Sequence, residues 1–135
     1  MLVSEGMSEE VLTVGPGHSL REAATAMWAR RVGAAVVHDP EAPGPGVITE
    51  RDILQAVAEG MDPDSEFVAD HLTANLTFAR RDWSLEHAAA TMVAGGFRHL
   101  VVVEASDVVG VLSMRDIVRV WCGEGADCDV PVQAR

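Results

Sequence analysis

Apolar and polar positions along the chain alternate between short β-prone runs and helix-spaced stretches. Val11-Leu12-Thr13-Val14 reads as a strand closed by Gly15-Pro16-Gly17. Behind Ser19, a residue type that caps helix N-termini, Leu20, Ala23, Ala24, Met27 and Trp28 recur on one helical face. Two strands are expected next, Ala34 to His38 and Gly46 to Ile48, joined by a loop carrying Pro40, Pro43, Gly44 and Pro45. A second helix is expected from about Glu50 to Glu59, which completes a β-α-β-β-α unit.

The same order then returns. Leu76-Thr77-Phe78-Ala79 is the second β-prone run, Ser84 opens a helix with Leu85, Ala88, Ala89, Met92 and Val93, and strands are expected over His99 to Val103 and Val108 to Leu112. A last helix runs from about Met114 to Trp121. Sliding the chain by 65 places sets Val3 on Val68, Ser19-Leu20 on Ser84-Leu85, Met27 on Met92 and Val36-Val37 on Val101-Val102. A shift of 64 then sets Gly46-Val47 on Gly110-Val111 and Arg51-Asp52-Ile53 on Arg115-Asp116-Ile117. The one-residue difference falls in the loop after Asp39, where length changes cost little. Two tandem copies in a chain of 135 residues predict an α/β protein packed as a pseudo-twofold pair, with domains over 1–66 and 67–122 and a flexible tail over 123–135. Met61 to Ser65 is expected to be the hinge.

Composition narrows the classes. With 48% apolar residues and few aromatics, Ala, Val, Leu and Met must fill the interior. No run approaches the roughly 18 apolar residues of a membrane helix, and Met1 to Gly6 lacks a basic-then-apolar export pattern, so a cytoplasmic chain is expected. The net charge of -11 opposes nucleic acid and anionic lipid as partners. All ten basic residues are Arg, which suits planar contacts to phosphate wherever several converge. Cys122 and Cys128 lie near the C-terminus and read as tail thiols, with a local disulfide or a metal contact as the alternative. His18, His38, His71 and His87 share no metal-site spacing, so no metal is expected. Trp28 and Trp121 read as packing residues. The alanines of the first helices suit either their own sheet or close packing on another subunit's helix.

The sharpest local signal is Gly46-Val47-Ile48-Thr49-Glu50-Arg51-Asp52 and its echo Gly110-Val111-Leu112-Ser113-Met114-Arg115-Asp116, each at a strand-to-helix junction. Structurally, Thr49 and Ser113 are helix caps with Asp52 and Asp116 three residues on, a variant of the capping box. Functionally, helix-start amides and a hydroxyl can cradle phosphate, and a carboxylate one turn in can accept from ribose hydroxyls. The preceding Gly would let a ligand approach the backbone.

With these motifs the chain resembles the CBS-domain family from about Val3 to Trp121. The doubled Gly-to-Asp motif, the lead-ins Val3 to Met7 and Val68 to Leu72, and Arg98-His99-Leu100-Val101-Val102-Val103 carry the likeness, in the manner of small stand-alone bacterial two-CBS proteins of the hypoxic-response type. The resemblance implies a binding cleft for AMP, ADP, ATP, S-adenosylmethionine or a related ligand such as NAD, and a homodimer formed through helices. It implies ribose contacts from Asp52 and Asp116, ribose or phosphate contacts from Thr49 and Ser113, and phosphate contacts from Arg51, Arg98, His99 and Arg115. Val11, Thr13, Ala34, Ala35, Thr77, Phe78 and Leu100 would line the base. Ala35 and Leu100 stand where the family often has Pro, and Gly33-Ala34 faces Arg98-His99 across the repeat, so unequal sites are expected.

No nucleophile with a neighbouring base is signalled, and no cofactor is required. The expected role is a regulatory sensor of adenine nucleotides, acting through an effector protein or its own dimer, rather than an enzyme. The alternative is a structural dimerisation or protein-interaction module that binds no nucleotide.

Overall fold

In the computed structural model, which describes residues 1–74 and 76–123, the sequence repeat forms two α/β units, each with its own three-stranded sheet. One unit is Leu12–Leu76; the other joins Met1–Val11 to the chain from Thr77 onward. The chain opens with a short helix, α1 (Val3–Gly6), which belongs to the discontinuous unit. The contiguous unit then runs through β1 (Thr13–Val14), α2 (Leu20–Arg30), β2 (Ala34–Val37), β3 (Gly46–Thr49) and α3 (Glu50–Ala58), and ends near a 3-10 turn at Val68–Asp70. The remaining elements are β4 (Phe78–Ala79), α4 (Leu85–Gly95), β5 (His99–Glu104), β6 (Asp107–Ser113) and α5 (Met114–Gly123). In each sheet the first strand pairs parallel to the second and the third pairs antiparallel, in the orders β1-β2-β3 and β4-β5-β6. The β-α-β-β-α repeat is therefore observed twice. Its opening strands are two residues each, shorter than the apolar runs that announced them.

The helices start where the hydroxyls are. Ser19 Oγ accepts from the Glu22 N–H at 3.1 Å while the Glu22 carboxylate accepts from the Ser19 N–H at 3.1 Å, closing a capping box. Ser84 Oγ accepts from the His87 N–H at 3.0 Å at the matching point of the other repeat. Both helices end on a left-handed residue, Gly96 with φ 71° in α4 and Arg31 with φ 56° in α2. The Arg31 guanidinium lies 4.4 Å from the centroid of the Trp28 ring.

Each unit has its own core. Leu20, Ala23, Met27, Ala35, Val37, Ile48 and Val68 pack in one; Val3, Leu85, Ala88, Met92, Leu100, Val102 and Leu112 pack in the other. Burying a Leu or Ile of this kind stabilises by about 1.5–3 kcal/mol. Ala23 and Ala88 serve their own sheets, which settles one of the two readings for those positions, while Ala24 and Ala89 are half-buried.

Three expectations are corrected. Trp28 and Trp121 are 70% and 61% exposed, and Val93, expected on the inner face of α4, is 73% exposed. The spacing marked the apolar stripe correctly but made it one position too wide. Met61 to Ser65, the expected hinge segment, is held at the start of α2: the Arg21 N–H donates to the Pro63 carbonyl, the Leu20 N–H to the Glu66 carbonyl, and the Arg21 guanidinium pairs with the Asp64 carboxylate. Cys122 is disulfide-bonded rather than a free thiol. Cys128 and the tail beyond Gly123 lie outside the described residues.

The repeats in sequence and the units in space are offset by the lead-ins. Ser8 exchanges backbone hydrogen bonds with Val111 at 2.9 and 3.0 Å, and Thr73 does the same with Val47 at 3.0 and 2.8 Å. Each lead-in thus covers part of the open edge of a sheet, β6 in one unit and β3 in the other, blunting an edge that invites aggregation.

Candidate functional site

The two strand-to-helix junctions have matching local geometry. At the end of β3, Thr49 caps α3: its Oγ1 accepts from the Asp52 N–H at 3.3 Å, and Asp52 Oδ2 accepts from the Thr49 N–H at 2.8 Å and the Thr49 hydroxyl at 2.9 Å. At the end of β6, Ser113 Oγ accepts from the Asp116 N–H at 3.0 Å and Asp116 Oδ2 accepts from the Ser113 N–H at 2.8 Å. The reciprocal cap is therefore present at both corners. It holds each carboxylate rigidly beside a hydroxyl at the positive end of a helix, where negative charge is favoured.

Asp116 is buried at 9% exposure, an unusual position for a carboxylate, and Arg119 Nη2 donates to its Oδ1 at 2.6 Å. Asp52 is half-buried, and the position matching Arg119 is Gln55, which turns to Glu59 at 2.8 Å. Arg119 escaped the sequence reading, although its place three residues after Asp116 on a helix was an available signal.

The backbone brings the expected neighbours together. Ala34 pairs with Thr49 across β2 and β3, and His99 pairs with Ser113 across β5 and β6. Thr13 pairs with Val36, and Phe78 with Val101. Arg51, Arg98 and Arg115 are exposed near the corners in sequence, and His99 is half-buried.

Ala35 and Leu100 do not share that face. Both are 1% exposed within the cores of their units, because side chains alternate along a strand and theirs take the inward positions. Their side chains are thus withheld from any ligand on the opposite face, where the same alternation puts Ala34 and His99. Val11 lies outside the strand it was expected to open and groups with the discontinuous unit, while Thr77 is exposed just before β4.

The motif glycines also differ from expectation. A Cβ at Gly110 would lie 2.8 Å from the Ser8 carbonyl oxygen and 2.9 Å from Met7 Sδ; at Gly46 it would lie 2.9 Å from a Leu72 methyl and 3.2 Å from the Thr73 carbonyl oxygen. What approaches the backbone there is the chain's own lead-in. Sequence alone could not tell that neighbour from a ligand, since both require an absent side chain.

Among the described residues no group of three His, Cys, Asp or Glu side chains could hold a metal ion, and no helix is long and apolar enough to cross a membrane.

The family model for the CBS domain matches residues 3–59 and 68–123, one match for each repeat. The chain belongs to the CBS-domain family. The CBS domain-containing protein YhcV of Bacillus subtilis is 31% identical over 116 residues, covering 85% of this chain and 81% of that protein. A CBS domain-containing protein of Arabidopsis thaliana is 36% identical over 106 residues, but this chain spans about a fifth of its length (19%). Among solved CBS structures, PAE2072 of Pyrobaculum aerophilum complexed with AMP matches with a TM-score of 0.76 and 33% identity, covering 86% of this chain and 89% of that one. The CBS domain pair of MJ0100 in complex with 5′-methylthioadenosine and S-adenosyl-L-methionine matches with a TM-score of 0.82 and 25% identity, covering 93% of this chain and 98% of that one.

Proposed function

We propose that this CBS pair is a regulatory module that binds an adenosine-derived ligand, AMP, ADP or ATP foremost, with S-adenosylmethionine or NAD as further candidates. The observation that carries the reading is the doubled corner, in which a hydroxyl, helix-start amides and a fixed carboxylate stand together at Thr49–Asp52 and again at Ser113–Asp116. Such a set can accept from ribose hydroxyls, and the positive end of the helix favours a nearby phosphate. The AMP complex of PAE2072 and the adenosyl ligands of MJ0100 support the ligand class. Arg51, Arg98, His99 and Arg115 are the candidates for phosphate, and Thr13, Ala34, Thr77 and Phe78 for the base. The role is sensing rather than catalysis, in the cytoplasm, with output through an effector protein or a homodimer.

Exposed apolar side chains support the homodimer. Leu54 and Val57 on α3 are 69% and 51% exposed, and their repeat equivalents on α5, Val118 and Trp121, are 50% and 61% exposed. Apolar residues left in water at matched helix positions favour burial against a second copy.

A thermal-shift panel of AMP, ADP, ATP, NAD and S-adenosylmethionine tests the ligand reading. A ligand present at about one hundred times its dissociation constant stabilises the folded state by about 2.7 kcal/mol, a shift that Asp116→Ala should shrink. A wild type indifferent to every one of these ligands would refute it.

A further inference from the structure

The seat of the N-terminal lead-in selects a sequence pattern. Val3 is fully buried in the core of the discontinuous unit. Its N–H donates to the Trp83 carbonyl at 2.8 Å, the Ser4 N–H donates to the Arg81 carbonyl at 3.1 Å, and the Met1 carbonyl accepts from the Leu85 N–H at 2.9 Å. Further along, buried Gly6 lets the core close over the backbone: a Cβ there would stand 3.2 Å from a Val120 methyl, 3.5 Å from Leu112 and 3.6 Å from Leu85. Ser8 then pairs with Val111 on the edge of β6. The seat therefore requires an apolar anchor, then a residue with no side chain, then an extended residue. The other lead-in offers Val68, His71 and Thr73 at the same spacings, and an imidazole in the place of Gly6 would collide with Val120. Within the contiguous unit His71 turns instead to Glu66, at 2.8 Å.

The backbone path from this lead-in to the residues that hold it runs through the whole contiguous unit, Leu12–Leu76. It is held as a separate fragment would be, by packing and hydrogen bonds. An identical fragment from another molecule makes the same contacts, so exchanging one for the other leaves the bonding unchanged. We propose that the lead-in is exchangeable between copies: Met1–Ser8 of one chain completes the discontinuous unit of a second, giving a reciprocal dimer, and Gly6 is the residue that admits it. The turn that opens is Glu9–Val11, where the Val11 N–H donates to the Glu9 carbonyl at 3.1 Å and both Glu9 and Glu10 are exposed. Within one chain the lead-in competes at an effective concentration on the order of millimolar. The closed form prevails in dilute solution, and exchange follows when chains refold together at high concentration.

The test uses the full chain carrying Leu54→Glu and Val118→Glu, so that exposed helix faces do not supply a dimer of their own. Refolded from urea at about 1 mM and then diluted, it is expected to sediment as a dimer, whereas the same chain refolded at low concentration stays monomeric. A second arm refolds it dilute in a large excess of a fluorescein-labelled peptide of residues 1–10. The peptide should stay with the protein through gel filtration, and the same peptide with Gly6→His should be retained about tenfold less or worse. A chain that is monomeric after refolding at either concentration, or that keeps both peptides equally or neither of them, overturns the exchange. Adenosyl-ligand binding is measured separately, so neither outcome bears on the nucleotide reading.

Discussion

Replacing Gly110 by alanine probes how tightly the N-terminal lead-in is fitted to β6. The new Cβ would sit 2.8 Å from a backbone oxygen, that of Ser8, and 2.9 Å from Met7 Sδ. The sulfur can swing aside, but the carbonyl cannot move without breaking the paired hydrogen bonds between Ser8 and Val111, at 2.9 and 3.0 Å. Overpacking of this kind costs about 1–3 kcal/mol, and each lost hydrogen bond about 1 kcal/mol. A loss of about 2–4 kcal/mol is expected, which lowers Tm by on the order of 10 °C in a chain of this size. Gly46→Ala should cost less, because its nearest obstacle at 2.9 Å is the end of the flexible Leu72 side chain. Gly17→Ala serves as the control: nothing lies within 4 Å of its Cβ, so its Tm should stay level or rise slightly. Thermal melts of the three variants give the order, and amide exchange at Ser8 and Val111 locates the damage. A Gly110→Ala protein that melts with wild type, or exchanges no faster at those amides, would show that the close approach does not constrain the fold.

Two further outcomes are expected. The Ser19 N–H donating to the Glu22 carboxylate, with the Ser19 hydroxyl adding to it, lowers the pKa of Glu22 below the ordinary glutamate value. A lowered folded-state pKa gives stability that is present above the unfolded value and lost as pH falls through the folded one, so the Tm gap between wild type and Glu22→Gln should close between neutral pH and about pH 3; a gap that widens on acidification contradicts that sign. Leu54→Glu combined with Val118→Glu should turn a dimeric chain monomeric in sedimentation velocity, since both side chains are at least half exposed on matched helices; wild type that sediments as a monomer at micromolar concentration removes the basis for the helix-mediated pair.

Most of the architecture was legible because the repeat states it twice. Helix starts were read from Ser19, Ser84 and Thr49, whose capping geometry is local and depends on three or four successive residues. The Thr49–Asp52 and Ser113–Asp116 corners were legible for the same reason. Long-range features were not. That Val3 and its neighbours would complete the unit of the distant second repeat, rather than the one beside them in sequence, leaves no mark in periodicity. The outward turn of Trp28 and the inward turn of Leu100 depend on which side of an element meets the core, and a shift of one position reverses the answer. Glu50 over Gly33 joins residues seventeen apart in sequence and could be found only once the strands were paired.

The split membership of the discontinuous unit sets an order of events on the ribosome. Leu12–Leu76 is contiguous, so all of it is made before β4 and the elements that follow. The first eleven residues, although made before it, must wait until β6 is made before Ser8 can reach Val111, with Val3 left exposed to solvent or to chaperones in the interval. Residues made ahead of the contiguous unit are therefore placed after it.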